Sequence, residues 1–260
     1  MHPILVTLPI FGGIKIYTYG LLVASAFVVG ILWTAREAKQ GGLSREIVFD
    51  LAFYAILSAL VGARILYVIT EWHRYAAHPL DVLKLWEGGL IFYGGLIGAI
   101  VGSTVYIRRK SLPFFRTADL FMPGLALGHA IGRLGCLAAG CCHGREAFDV
   151  SWAIQFPNTP SSLAPAGIPL YPTQLMESAV SLLVFLVLVG LRKRRRFEGG
   201  LLLTYLVLYG LARILLEPFR GEEAKSFVIS HWLSTSQFIS ILLILTAVAL
   251  YPPLRKRIGR

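Results

Sequence analysis

The chain has 260 residues, of which 56% are hydrophobic and only 15% charged, and its formal net charge is +11. That apolarity exceeds what a water-soluble domain of this length needs, so composition overrides the length prior of one or two soluble domains and points to a single membrane bundle, 1–260. On a polar chain the basic excess would suit nucleic acid; on an apolar one it marks the cytoplasmic edges of spans, and no nucleic-acid partner is expected.

A helical span needs roughly 20 mainly apolar residues. Seven segments meet this in chain order, at about 17–34, 47–70, 89–107, 117–140, 173–191, 201–217 and 227–251, the second and fourth interrupted by polar residues. The first lacks the charged leader and small-residue cleavage site of a signal peptide and reads as a retained span. Lys and Arg orient the set. Arg36, Lys39 and Arg45 follow span 1; Arg108, Arg109, Lys110 and Arg116 follow span 3; Arg192, Lys193, Arg194, Arg195 and Arg196 follow span 5; Arg255, Lys256, Arg257 and Arg260 end the chain. The opposite side has only Lys15, Arg74, Lys84, Arg145, Arg220 and Lys225. The expected fold is therefore an all-α polytopic bundle of about seven transmembrane helices, N-terminus outside and C-terminus cytoplasmic. Two irregular extracytoplasmic segments, 71–88 and 141–172, complete it.

Several charges fall inside the spans: Asp50, Arg64, Asp119, Arg133, Glu177, Arg213 and Glu217, with His129 beside them. Each costs about 2.5–3.5 kcal/mol at the bilayer centre on insertion scales. A structural network explains one or two such pairs; this many point to a charged ligand. Arginine is informative, because its planar fork grips phosphate in a bidentate way and stays charged. Arg133 and Arg213 lie on different spans and are candidates to converge on one anion. Glu217 lies four residues after Arg213 on the same helix face. It either orients that arginine, acts as acid or base, or forms a plain intrahelical salt bridge.

Glycines recur at Gly88, Gly89, Gly94, Gly95, Gly98 and Gly102, and Gly132, Gly135 and Gly140 flank Arg133. Small residues four apart let helices approach closely; the same smallness beside Arg133 admits a bulky head group. Tyr19, Tyr93 and Tyr171 sit near outer ends of spans, where an interfacial aromatic belt accounts for many tyrosines. The three cysteines, Cys136, Cys141 and Cys142, leave open a metal site, a redox pair or small apolar packing. A zinc site would ordinarily show a second ligand pair, which is missing, so no metal and no organic cofactor are expected.

The stretch Gly132-Arg133-Leu134-Gly135-Cys136-Leu137-Ala138-Ala139-Gly140-Cys141-Cys142-His143-Gly144 resembles the signature of bacterial prolipoprotein diacylglyceryl transferases. Four further segments match that family in order. They are Tyr19-Gly20; Gly88-Gly89-Leu90-Ile91-Phe92-Tyr93-Gly94-Gly95; Tyr171-Pro172-Thr173-Gln174-Leu175-Met176-Glu177; and Tyr209-Gly210 followed by Arg213, Glu217 and Arg220. The resemblance implies transfer of the diacylglyceryl group of phosphatidylglycerol to the lipobox cysteine of a prolipoprotein signal peptide. A thioether forms and glycerol phosphate leaves, the first step of lipoprotein maturation at the inner membrane. It also implies catalytic roles for Arg133, Arg213, Glu217, Tyr93 and Tyr19. Phosphatidylglycerol would be bound by Arg133, Arg213, Arg64, Glu177, Gly94, Gly95, Gly132 and Gly135. Asp119 falls on a family position as well.

The chain departs from the family pattern at four places. Tyr93 and Tyr171 replace histidines, and Cys136 and Cys141 replace an asparagine and a glutamate. With a pKa ordinarily near 10, Tyr93 is a poor general base, so the proton path stays open between a base-free mechanism and a divergent one. Membrane transport of an anionic solute by the intramembrane arginines is the alternative function. A thiol-redox enzyme using Cys141 and Cys142 is a third reading, and a structural scaffold leaves the buried charges unexplained. No internal repeat is apparent, which weighs against many transporter architectures.

Overall fold

The computed structural model describes residues 4–8, 14–84, 88–159, 162–194, 197–221, 227–229 and 232–256. Helices dominate: α1 Thr18–Glu37, α2 Arg45–Thr70, a short α3 Trp72–Ala77, α4 Phe92–Arg109, α5 Phe114–Ala139, α6 Thr173–Leu191, α7 Gly200–Leu216 and α8 Thr235–Lys256. Among the described residues, three two-stranded antiparallel ribbons accompany them. They are β1 Ile4–Leu8 with β2 Ile14–Tyr17, β3 Ile154–Gln155 with β4 Pro169–Leu170, and β5 Phe227–Ile229 with β6 Leu233–Ser234.

Among the described residues, six helices are long and apolar enough to cross a membrane; all but one of the expected spans correspond to them. The remaining expected span coincides with α4, whose four glycines and terminal Arg108 and Arg109 make it less apolar than the rest. Both polar-interrupted spans are continuous 26-residue helices, α2 and α5, the latter running through Pro123. Large apolar side chains such as Phe53, Ile69, Leu183, Leu215 and Val248 stay exposed on the helix faces, where a soluble protein would bury them.

Two span boundaries differ from expectation. The seventh span was read as starting at 227, yet Phe227–Ile229 is strand and the helix starts at Thr235. A capping box sets that start: Ser234 Oγ accepts from Gln237 N at 3.1 Å, and Gln237 Oε1 accepts from Ser234 N at 3.1 Å. The third span was read from 89. Gly88 and Gly89 instead take left-handed backbone, φ 82° and 77°, and α4 begins at Phe92.

The chain packs as two compact units, Ala35–Thr117 and the combination of Met1–Thr34 with Ala118–Arg260. In the first, α2 and α4 lie against each other along Ser58, Gly62, Gly94, Gly98 and Gly102. A Cβ on Gly98 would sit 2.2 Å from the Ser58 carbonyl oxygen, and one on Gly62 would sit 2.4 Å from that of Gly94. Only glycine permits this approach. Arg64 then ties the connection between the two helices. Its Nε donates to Val82 O, one terminal nitrogen to Gly88 O and Gly89 O, and the other to Asp81 O and Lys84 O. On the same connection Asp81 pairs with Lys84 at 2.7 Å, and that hydrogen bond holds its carboxyl below the usual carboxylate range.

In the second unit α1 crosses α5 where a Cβ on Gly30 would lie 2.7 Å from Gly124 O. Ala126, Val184, Phe185, Leu188 and Leu201 form its apolar core, with Trp33 packed edge-on to Phe185. Asp119 on α5 accepts the Gly199 and Leu202 amides at 2.8 Å each and so caps the start of α7, an anion at the positive end of a helix. The segment after α5 is an irregular cap with a small core of its own, Phe156, Ala164 and Leu170. It is sewn to neighbouring backbone by Gly144 N to Tyr171 O, Arg145 N to Phe219 O and Ala147 N to Pro169 O, each near 3 Å.

Candidate active site

On α6, Thr173, Glu177, Ser181, Val184 and Leu188 are buried and recur every three or four residues, which places them on one helix face. The polar end of that stripe organises the site. Glu177 Oε2 lies 2.6 Å from Arg133 Nε, while its Oε1 lies 2.8 Å from Arg220 and 3.9 Å from Arg213. Three guanidinium groups from α5, α7 and the turn after α7 thus converge on one carboxylate. Arg133 Nε also stands 3.1 Å from His129 Nε2, one helical turn earlier on α5. Arg213 is fixed twice more, by Glu217 at 2.6 Å and by donating to Ser236 Oγ at 2.7 Å on α8.

The expected pair Arg133 and Arg213 is therefore brought together, with Glu177 between them and Glu217 ion-paired to Arg213. Pro218 closes the i to i+4 pattern after Glu217, and the turn Glu217–Phe219 carries Arg220 back toward Glu177. Arg220 was placed in the outward loop by its sequence position; the structure buries it. Its place after Arg213 and Glu217 in the last matched family element was the signal available. Three arginines against two glutamates leave one excess positive charge among these described residues, all with side chains at most 17% accessible. Arg220 Nε is buried without a hydrogen-bond partner among the described residues. His129, Glu177, Tyr205, Tyr209 and Arg213 line a narrow recess, with the Tyr205 and Tyr209 rings stacked at 5.7 Å.

The glycines around Arg133 divide by environment. A Cβ on Gly132 would meet nothing within 4 Å, whereas at Gly135 it would touch the Tyr19 ring at 3.5 Å and its carbonyl at 3.4 Å. Tyr19 itself is half-exposed at the start of α1. Gly144, beyond the cysteines, is wedged: a Cβ would lie 2.5 Å from Tyr171 O and 2.6 Å from Phe219 O. Tyr171, sandwiched edge-on between Trp152 and Phe219, donates its hydroxyl to Asp149 and serves the cap.

The sulfurs of Cys136, Cys141 and Cys142 lie within 4.8 Å of one another, and all three thiols are free. Cys142 adopts φ 57°, and the loop is held by Thr173 Oγ1 to Cys142 O and Gln174 Nε2 to Cys141 O, both 2.9 Å. Hydrogen bonds from the Cys136 and Cys141 thiols, with the positive charge of Arg133 and Arg220, hold the Cys142 thiol below its ordinary range. Spacing alone leaves metal, redox and packing uses open; the structure gathers the three sulfurs into one cluster.

Four expected site residues belong to the other unit. Tyr93 is on the first turn of α4 and more than a third exposed. Gly94 and Gly95 face α2, the first against Gly62 O and the second against Ala59 O and Ala63. Arg64 was expected to bind phosphate. A guanidinium has five N–H donors, and five backbone carbonyls engage all three nitrogens of this one, so Arg64 anchors the α2–α4 connection.

Comparison with known proteins adds an independent line. The family model described as prolipoprotein diacylglyceryl transferase matches residues 3–252. A phosphatidylglycerol–prolipoprotein diacylglyceryl transferase 2 of Clostridium perfringens is 34% identical, with 92% of this chain and 91% of that protein aligned. Phosphatidylglycerol–prolipoprotein diacylglyceryl transferases of Geobacillus kaustophilus and Finegoldia magna are 34% and 35% identical, over 92% and 95% of this chain and 88% and 94% of theirs.

Proposed function

The chain belongs to the prolipoprotein diacylglyceryl transferase family, and from that premise we propose that it transfers the diacylglyceryl group of phosphatidylglycerol to the lipobox cysteine thiol of prolipoproteins. The observation that carries the site assignment is the convergence of Arg133, Arg213 and Arg220 on Glu177, with one positive charge in excess among apolar helices. An uncompensated buried cation is costly, and an anionic ligand removes the cost. A phospholipid phosphate has that charge, and its acyl chains match the exposed apolar faces.

In the proposed reaction the phosphate sits against Arg133 and Arg220, with Arg213 held in place by Glu217 and Ser236. The incoming thiolate attacks the glyceryl carbon attached to phosphate. A sulfur–carbon bond forms, the carbon–oxygen bond breaks, and glycerol phosphate leaves with its new charge met by the guanidinium groups. The thiol proton is lost before or during attack, favoured by the same positive field. Gly132 leaves room for the head group, and Tyr19, beside Gly135, borders the route by which the lipid enters. The site is assigned to the outward side of the bacterial inner membrane, with 71–88 and 141–172 extracytoplasmic, on the support of the one-sided distribution of Lys and Arg. Relatives named as transferases and the absence of an internal repeat leave anion transport without support.

The test is a liposome assay with labelled phosphatidylglycerol and a lipobox peptide. Wild type is expected to label the cysteine peptide and not its Cys-to-Ser counterpart, and Arg133→Ala to abolish labelling. Folded wild-type protein that moves no label from any anionic phospholipid would overturn the proposal.

A further inference from the structure

We propose that Cys136, Cys141 and Cys142 form a three-thiolate site for one thiophilic divalent ion of the Zn²⁺ and Cd²⁺ class. The sulfurs come from the last turn of α5 and from the loop after it, and they already lie within 4.8 Å of one another. A tetrahedral ion with metal–sulfur bonds of about 2.3 Å holds its sulfurs about 3.8 Å apart. Closing that gap needs about 1 Å of movement, within reach of side-chain rotation.

The backbone is built to present these sulfurs together. Cys141 N donates to Cys136 O at 3.1 Å, so the loop folds back on the helix end. Cys142 holds a left-handed conformation, φ 57°, which a non-glycine residue rarely adopts. Thr173 and Gln174 of α6 hold the two carbonyls that fix it. Gly140, φ 74°, starts the reversal. All three cysteines are partly accessible, so an ion can enter.

Three thiolates and a divalent ion sum to one negative charge, with three protons released to solvent on binding. The cluster supplies three sulfurs, and a fourth ligand position is left to water. The bound ion would fasten the end of α5 to the start of the cap.

The full chain, purified in detergent with a phosphine reductant, is titrated with Cd²⁺ and then competed with Zn²⁺. Wild type is expected to develop thiolate-to-metal charge-transfer absorption saturating at one ion per chain, and its Tm is expected to rise with free metal. The combined Cys136→Ser, Cys141→Ser, Cys142→Ser variant should show neither effect. Should it fail to fold, Cys136→Ser and Cys141→Ser singly carry the test, each expected to bind at least tenfold more weakly. The proposal is overturned by the lack of a saturable signal in wild type, by binding unchanged in folded variants, or by a thiol count showing two of the sulfurs joined as a disulfide in protein purified without reductant.

Discussion

At Glu177 one carboxylate serves three guanidinium groups, and the chemistry of the site depends on the shape of those groups as much as on their charge. Arg133 reaches Glu177 and His129 through Nε while its fork remains the phosphate-facing part in the proposed reaction. A lysine keeps the charge and loses the fork. Arg133→Lys is therefore expected to lower kcat/KM for transfer by about 100- to 1,000-fold, the magnitude of losing a transition-state oxyanion contact, with Tm little changed. Steady-state kinetics on liposomes alongside thermal melts check both halves. Arg64 makes the contrasting case: the sequence shows an intramembrane arginine in each, and only their partners separate them. Arg64→Gln is expected to reduce the yield and Tm of the protein while the folded fraction keeps its KM for phosphatidylglycerol. A raised KM with normal Tm would restore Arg64 to the binding site.

Helix contacts and helix starts were written in residues of small size or particular polarity. The glycine spacing in 94–102 announced a close helix contact, but its partner, Ser58 and Gly62 on α2, came only from the fold. Gly98→Leu places a branched side chain where the Ser58 carbonyl now lies. It is expected to separate α2 from α4 and leave protein that aggregates or melts well below wild type in detergent. Wild-type melting would show the packing to be loose. At the start of α8, Ser234→Ala and Gln237→Ala each remove half of the capping box. Each is expected to cost about 1 kcal/mol, and the double variant less than the sum because the two bonds are reciprocal; equilibrium unfolding of the set measures the coupling. Hydrophobicity alone ran the seventh span back to 227, because apolar strand residues and apolar helix residues look alike over short runs.

For the whole molecule, orientation rests on Lys and Arg distribution and is a prediction in its own right. A reporter active only in the cytoplasm, fused after Arg260, is expected to be active, and one placed in the cap between Asp149 and Ser151 silent. Activity at both positions would overturn the proposed topology, and the reverse pattern would invert it. Two compact units also bear on function: the arginine cluster, the cap and the cysteines lie in one, and Tyr93 with the glycines of α4 in the other.

The sequence by itself determined the all-helical membrane class, because long apolar runs leave few alternatives, and it singled out Arg133, Arg213, Glu177 and Glu217, because charge inside a span is too costly to be incidental. It also carried the family resemblance in five ordered motifs. Only the tertiary structure decided which charges meet. It drew Arg220 in from an apparent loop, spent Arg64 on backbone carbonyls, turned Asp119 into the cap of α7, and gathered three sulfurs from a helix end and a turn. These depend on chain reversals at Pro218 and Gly140 and on packing between distant helices, where burial and hydrogen bonding of particular atoms, rather than the periodicity of any one segment, set the outcome.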